Sequence, residues 1–217
     1  MRKTVKCFAK IVTDEKAISN IYCIVFYLNQ SAYWQREKMK ILCYGDSNTY
    51  GYDPRSFIGD RYPSDARWVD LLAKETGWEI INRGLNGREI PEQDIPLPDD
   101  LDLLIVMLGT NDLLQGAEAK TAAGRMEAFL CRLSIASEKI LLIAPPPMEP
   151  GQWVWESRLI EVSRRLGEEY RAVAQKLGVR FTDAAEWNIE LCFDGVHFTE
   201  SGHCAFVSAL AMTIKNR

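Results

Sequence analysis

A chain of 217 residues with 47% hydrophobic content can bury one full core, and its length favours one domain over two. The formal net charge is −4, without a basic cluster in the body of the chain or interleaved basic and aromatic residues, so DNA or RNA is not an expected partner. The six cysteines (Cys7, Cys23, Cys43, Cys131, Cys192, Cys204) form neither a CxxC pair nor a Cys/His metal spacing; reduced structural thiols in a cytoplasmic protein are expected.

Residues 1–38 differ from the rest. They carry seven Lys/Arg against three Asp/Glu, and the chain totals of 26 and 30 leave 19 against 27 for residues 39–217. That boundary predicts an N-terminal extension over 1–38 outside the core and a folded domain over 39–217. The apolar run from Ile21 to Leu28 is too short to span a bilayer, and Asn29-Gln30 closes it. Lysines ahead of it fit a signal peptide, but Asp14, Glu15 and the lack of a small-x-small cleavage site count against one. Met39-Lys40-Ile41-Leu42 begins a strand at once, as a natural start would, and the codons AGG-GAG for Arg36-Glu37 would resemble a ribosome-binding sequence just before Met39. Residues 1–38 are therefore expected to be translated upstream sequence, poorly packed or disordered; secretion stays open if they are a genuine N-terminus.

From Met39 onward, buried strands alternate with amphipathic helices. Residues 40–44 read as a short apolar strand, Trp68 to Ala73 has helical spacing that stops near Gly77, and residues 79–82 form a second strand. The run 101–108 is nearly all apolar, as a central parallel strand buried on both faces requires. A helix over 119–135, a strand over 140–144, a helix over 155–177 ending at Gly178, a strand over 179–182 and a helix over 201–215 complete the pattern. Pro145-Pro146-Pro147 and Pro150-Gly151 make residues 145–154 a loop. Strands separated by helices require right-handed crossovers, which predicts an α/β, flavodoxin-like three-layer α/β/α sandwich with a central parallel sheet of about five strands.

Ligands in such sheets bind outside the carboxyl ends of the strands, and every chemistry-bearing segment falls there. Gly45-Asp46-Ser47 follows the first strand, Asn86-Gly87 the second, Gly109-Thr110-Asn111-Asp112 the third, Trp153 the fourth and Asp194-Gly195-Val196-His197 the last. A serine, with an aspartate and a histidine three residues apart, provides a nucleophile, an orienter and a base. The only histidines are His197 and His203. His203, within the closing helix, reads as a surface or satisfied core residue. Ser47 alone would also serve as a helix cap, Asn111 as a turn residue, and Asp46 and Asp112 as structural acceptors.

These residues also carry a family resemblance. Gly45-Asp46-Ser47-Asn48-Thr49, Gly84-Leu85-Asn86-Gly87, Gly109-Thr110-Asn111-Asp112 and Asp194-Gly195-Val196-His197-Phe198 resemble the four sequence blocks of the SGNH or GDSL hydrolases, in family order across residues 39–217. Tyr50-Gly51-Tyr52-Asp53-Pro54 and Arg67-Trp68 are similar to the arylesterase and acyltransferase branch. The resemblance implies Ser47 as nucleophile, His197 as base, Asp194 as orienter, and an oxyanion hole from the Ser47 and Gly87 N–H groups and the Asn111 amide. The implied partner is a small-molecule ester of short acyl chains with aryl or small alcohols, hydrolysed through an acyl-enzyme. An acyltransferase or a carbohydrate O-deacetylase is the alternative within the enzyme class, and a non-catalytic binding module the alternative outside it. Tyr52, Trp153 and Trp155 either pack or line the substrate pocket. Asn48 stands where the motif's name has leucine; with Tyr50, Tyr52 and Phe57 it is expected to shape the entrance. Neither a cofactor nor a metal is implied, there being no phosphate-binding glycine loop or ligand cluster. A homo-oligomer is left open.

Overall fold

The computed structural model describes residues 38–56, 58 and 60–215; apart from Lys38, the expected N-terminal extension lies outside them. Residues from Met39 onward form one compact unit. Its five-stranded sheet has the order β2-β1-β3-β4-β5, with β1 at Lys40–Gly45, β2 at Glu79–Gly84, β3 at Leu103–Met107, β4 at Ile140–Ala144 and β5 at Arg180–Asp183. All four pairings are parallel, so each connection must cross over the sheet. The long crossover helices are α2 (Trp68–Thr76), α4 (Ala119–Arg132), α5 (Ser157–Leu177) and the closing α6 (Glu200–Lys215).

Side-chain alternation divides the core into two layers. Leu42, Leu104, Val106, Leu142 and Ala144 join Met126 and Phe129 of α4 and Leu166 and Tyr170 of α5 in one cluster. The intervening Ile41, Cys43, Ile105, Leu141 and Ile143, equally buried, face the other side, where Trp68 of α2 packs on Phe206 of α6 with ring centroids 4.8 Å apart. Every residue of β3 and β4 is buried, the condition of central parallel strands.

The helix expected to reach residue 135 stops at Arg132, because Leu133 turns extended (φ −72°, ψ 130°). Leu133 and Ile135 still pack against the core from the following loop, which is why their hydrophobicity resembled more helix. Likewise α5 starts at Ser157, two residues later than read. Gly77 and Gly178 end their helices in the left-handed conformation at φ 69° and φ 67°, where glycine has no Cβ penalty.

Two short helices, α1 (Ser47–Tyr50) and α3 (Thr110–Leu114), follow β1 and β3. Helix α1 sits hard against the strand ends: a Cβ at Gly84 would collide with the Tyr50 nitrogen, and one at Gly45 with the Thr49 side chain. The strand order reverses direction at β1 and β3, and their carboxyl ends form the crevice that this topology leaves for a ligand. Among the described residues, no helix is long and apolar enough to cross a membrane.

Candidate active site

The site is assembled from turns at the carboxyl ends of the strands. Asp46 leaves β1 as the N-cap of α1, its carboxylate accepting the Asn48 N–H at 3.0 Å. That cap starts the helix at Ser47. Ser47 Oγ lies 2.9 Å from His197 Nε2, and His197 Nδ1 lies 2.6 Å from Asp194 Oδ2. All three residues are buried. A carboxylate only accepts, so Asp194 holds the proton on Nδ1 and leaves Nε2 free to accept from the Ser47 hydroxyl. The other Asp194 oxygen accepts the Val196 and His197 N–H groups, each at 2.9 Å. Burial pushes the Asp194 carboxyl up, but the His197 ring and these backbone donors outweigh it and hold its pKa below the usual value.

Backbone contacts fix the Asp-His loop. Cys192 N–H donates to His197 O at 2.7 Å, and Gly195 N–H to Cys192 O at 2.9 Å. From the proline-rich loop, the N–H groups of Glu149, Gln152 and Trp153 donate to the carbonyls of Gly195, Phe193 and Asp194, each at 3.0 Å. The two loops touch backbone to backbone: a Cβ at Gly195, itself at φ 79°, would collide with the Glu149 carbonyl.

The proposed oxyanion donors lie on three neighbouring turns. Gly87 sits at φ 70°, and Arg88 N–H closes its turn on Leu85 O at 3.2 Å. Asn111 Nδ2 donates to Arg88 O at 3.0 Å, which spends one amide hydrogen and orients the other. The Arg88 guanidinium donates to Gly45 O at 3.0 Å and to Arg83 O, and stacks 4.2 Å from the Tyr44 ring centroid. The Gly87 turn is thereby tied to the end of β1. Among the described residues, neither Ser47 N–H nor Gly87 N–H has an intramolecular acceptor.

Other side chains sort into structural and site roles. Asp112 is buried, accepting from Arg125 at 2.9 Å and from Ile90 N–H at 3.1 Å. Asp46 is also an acceptor, as read, and burial pushes its carboxyl up to about 6. Tyr52 and Trp153 both meet the His197 ring edge-on, with centroids 4.7 and 5.0 Å away. Trp155 does not join them; it is 80% exposed and makes no ring contact with His197. Exposed Leu85 and Phe193, beside Asn86 and Asp194, were not singled out in the sequence, although their motif positions place them on the same rim.

The expectation that Asn48 shapes the entrance is corrected. It is 3% exposed, because α1 turns the residue after Ser47 inward, where Nδ2 donates to Val196 O at 3.1 Å and Oδ1 accepts from Phe198 N–H at 2.9 Å. Tyr50 instead lies under the Arg61 guanidinium, 4.3 Å from its ring centroid. Phe57 lies outside the described residues.

His203 is a core residue and stands apart from the Ser47 contact. Its Nδ1 accepts from Trp68 N–H at 3.4 Å, and Tyr62 and Phe198 pack edge-on against the ring. Burial, then the nearby charges of Arg67 and His197, lower its pKa to about 3. The unfolded chain therefore binds a proton below about pH 6.5 that the folded chain refuses, so stability is retained above that pH and falls as pH drops toward about 3. Replacing His203 by Gln, which keeps an acceptor but does not titrate, is expected to flatten the pH dependence of the unfolding free energy from urea titrations between about pH 6 and pH 4 by roughly 1 kcal/mol per pH unit. Parallel slopes for the two proteins would show that His203 is protonated in the fold.

Among the described residues no three His, Cys, Asp or Glu side chains converge as a metal site. A 480 Å³ cleft lined by Ile95, Leu97, Ser134 and Lys139 opens at the amino ends of β3 and β4, the opposite edge of the sheet from Ser47.

The model of the GDSL-like lipase/acylhydrolase family matches residues 43–205. The chain belongs to that family. This GDSL hydrolase is accordingly a serine hydrolase of the carboxylic ester class. It is similar in structure to an aryl esterase of M. smegmatis, with TM-score 0.69 and 27% identity over 82% of this chain and 99% of that one. An Agrobacterium tumefaciens protein assigned as an arylesterase gives TM-score 0.68 and 31% identity over 82% and 99%. A carbohydrate acetylesterase from Sinorhizobium meliloti gives 0.69 and 26% over the same shares. No curated protein matches the GDSL hydrolase in sequence.

Proposed function

We propose that this GDSL hydrolase cleaves esters of short acyl groups with aryl or other small alcohols through an acyl-enzyme on Ser47. The observation that carries the reading is the unbroken chain from Ser47 Oγ through the His197 ring to Asp194, at 2.9 and 2.6 Å. His197 Nε2 takes the hydroxyl proton as Oγ attacks the ester carbonyl, and Asp194 steadies the imidazolium that forms. The Ser47 and Gly87 N–H groups and the free Asn111 amide hydrogen receive the oxyanion. Collapse expels the alcohol, to which His197 returns the proton. Water, deprotonated by the same ring, then releases the acid and restores Ser47.

Acyl transfer is the second reading, favoured by the apolar rim. Trp153, 46% exposed, stands against His197 with Leu85 and Phe193 nearby in the motif loops, a setting that favours an organic acceptor over water at the acyl-enzyme. The test is a panel of p-nitrophenyl esters from acetate to decanoate, with and without a small alcohol, the products separated by gas chromatography. Highest kcat/KM at the short end, with transesterified product beside free acid, is expected. A maximum at decanoate would overturn the short-acyl reading, acid alone would discard transfer, and no turnover of any ester would leave a binding module. An acetylated sugar cleaved faster than every aryl ester would move the assignment to a carbohydrate deacetylase.

A further inference from the structure

The two peptide groups that flank His197 are both held by one side chain from the opposite end of the domain. Asn48 Nδ2 donates to Val196 O at 3.1 Å and Oδ1 accepts from Phe198 N–H at 2.9 Å, across 150 residues of sequence in the second case. Its backbone is equally engaged: N–H donates to the Asp46 carboxylate at 3.0 Å, and the carbonyl accepts the indole N–H of Trp68 at 3.0 Å. Trp68 is buried and packed on Phe206. With every polar group bonded and both ends anchored, Asn48 has no freedom to swing. The residue before it is Ser47, and the residue between its two side-chain partners is His197.

We propose that Asn48 is a positioning residue that sets the distance from Ser47 Oγ to His197 Nε2 by gripping the peptide groups on either side of the histidine. The proposal rests on the reading of Ser47 as nucleophile and His197 as base. Leucine, which names the motif at this position, offers neither donor nor acceptor and would strand a buried carbonyl and a buried N–H. The base loop would then relax away from the nucleophile turn. Loss of that register slows proton transfer without altering the surface that binds ester, so kcat falls and KM does not.

Aspartate at the same position keeps the shape and the acceptor for Phe198 N–H, but places a carboxylate oxygen against the Val196 carbonyl. The contact repels when the carboxyl is ionised and is repaired when it is protonated. The titratable and charged groups around it include Asp46 on the N-cap, Asp194 and His197 on the facing loop, Tyr62, whose hydroxyl donates to Phe198 O at 3.2 Å, and, beyond Phe198 and Trp68, His203 of α6 with Arg67 near it.

The test uses the full chain, wild type, Asn48→Leu and Asn48→Asp, with kcat and KM for p-nitrophenyl acetate followed across pH and fluorophosphonate labelling rates measured in parallel. In Asn48→Leu, kcat is expected to fall roughly 10- to 100-fold with KM within about threefold, and labelling to slow by the same factor. In Asn48→Asp, kcat relative to wild type is expected to decline as pH rises, as ionisation of the introduced carboxyl breaks the grip. Should Asn48→Leu fail to fold, the isosteric Asn48→Asp decides alone. A folded Asn48→Leu protein with kcat within about threefold of wild type, or an Asn48→Asp profile parallel to wild type, overturns the proposal. Labelling of Ser47→Ala separates the two levels: if that protein still reacts with the probe, the nucleophile reading fails; if it does not and the Asn48 variants are indifferent, only the positioning role falls.

Discussion

Ser47→Ala is expected to lower kcat by about 10⁴ or more while leaving the fold intact, since removing one member of a triad disables the unit. Among the described residues the hydroxyl hydrogen-bonds His197 and no backbone group, so its loss strands no buried carbonyl or N–H, and the melting temperature should stay close to wild type. His197→Ala is expected to match it in kcat. His203→Gln is expected to keep activity near wild type at neutral pH, because His203 bonds Trp68 N–H and not Ser47. Kinetics of the three variants on one aryl ester, with melting curves to verify folding, check the set. Residual Ser47→Ala activity within tenfold of wild type would remove the nucleophile, and exchanged behaviour of the two histidines would remove the base.

Asn111→Ala is expected to cost about 10²–10³ in kcat, the usual effect of losing one oxyanion donor, and to keep fluorophosphonate labelling detectable because the Ser47–His197 contact survives. The side chain also bonds Arg88 O at 3.0 Å, so the Gly87 turn loses a tether at the same time. A purely structural role predicts a drop in melting temperature with ester turnover changed by less than about threefold; that pattern would leave Asn111 as a turn residue and remove it from the oxyanion hole.

What could be read from the sequence follows from which features are local. The apolar runs of β3 and β4 and the glycines at 77 and 178 announce buried strands and helix stops by composition alone, and the structure places them within a few residues of expectation. The five rim segments were legible because strand ends in this topology face one edge. Helices α1 and α3 were not, since four or five residues are too few to show a 3.6-residue period. That omission hid Asn48: its inward direction depends on α1, and α1 fits only because Gly45 and Gly84 leave room at the ends of β1 and β2. The two loop tryptophans also look alike in sequence. An isolated bridge between Gly151 and Val154 folds the loop into a turn with Trp153 inside it, against His197, and releases the chain before Trp155. Conversely, Leu133 and Ile135 overstated their helix, because a loop that packs on the core carries the same hydrophobicity as a helix that does.

The central claim is that the acyl group passes through Ser47, and trapping it tests that most directly. Wild-type protein mixed with p-nitrophenyl acetate, quenched in acid within the first turnover and digested for mass spectrometry, should carry one acetyl group on the peptide containing Ser47, and Ser47→Ala should carry none there. An acetyl group on another residue, or full turnover by Ser47→Ala, would contradict the account.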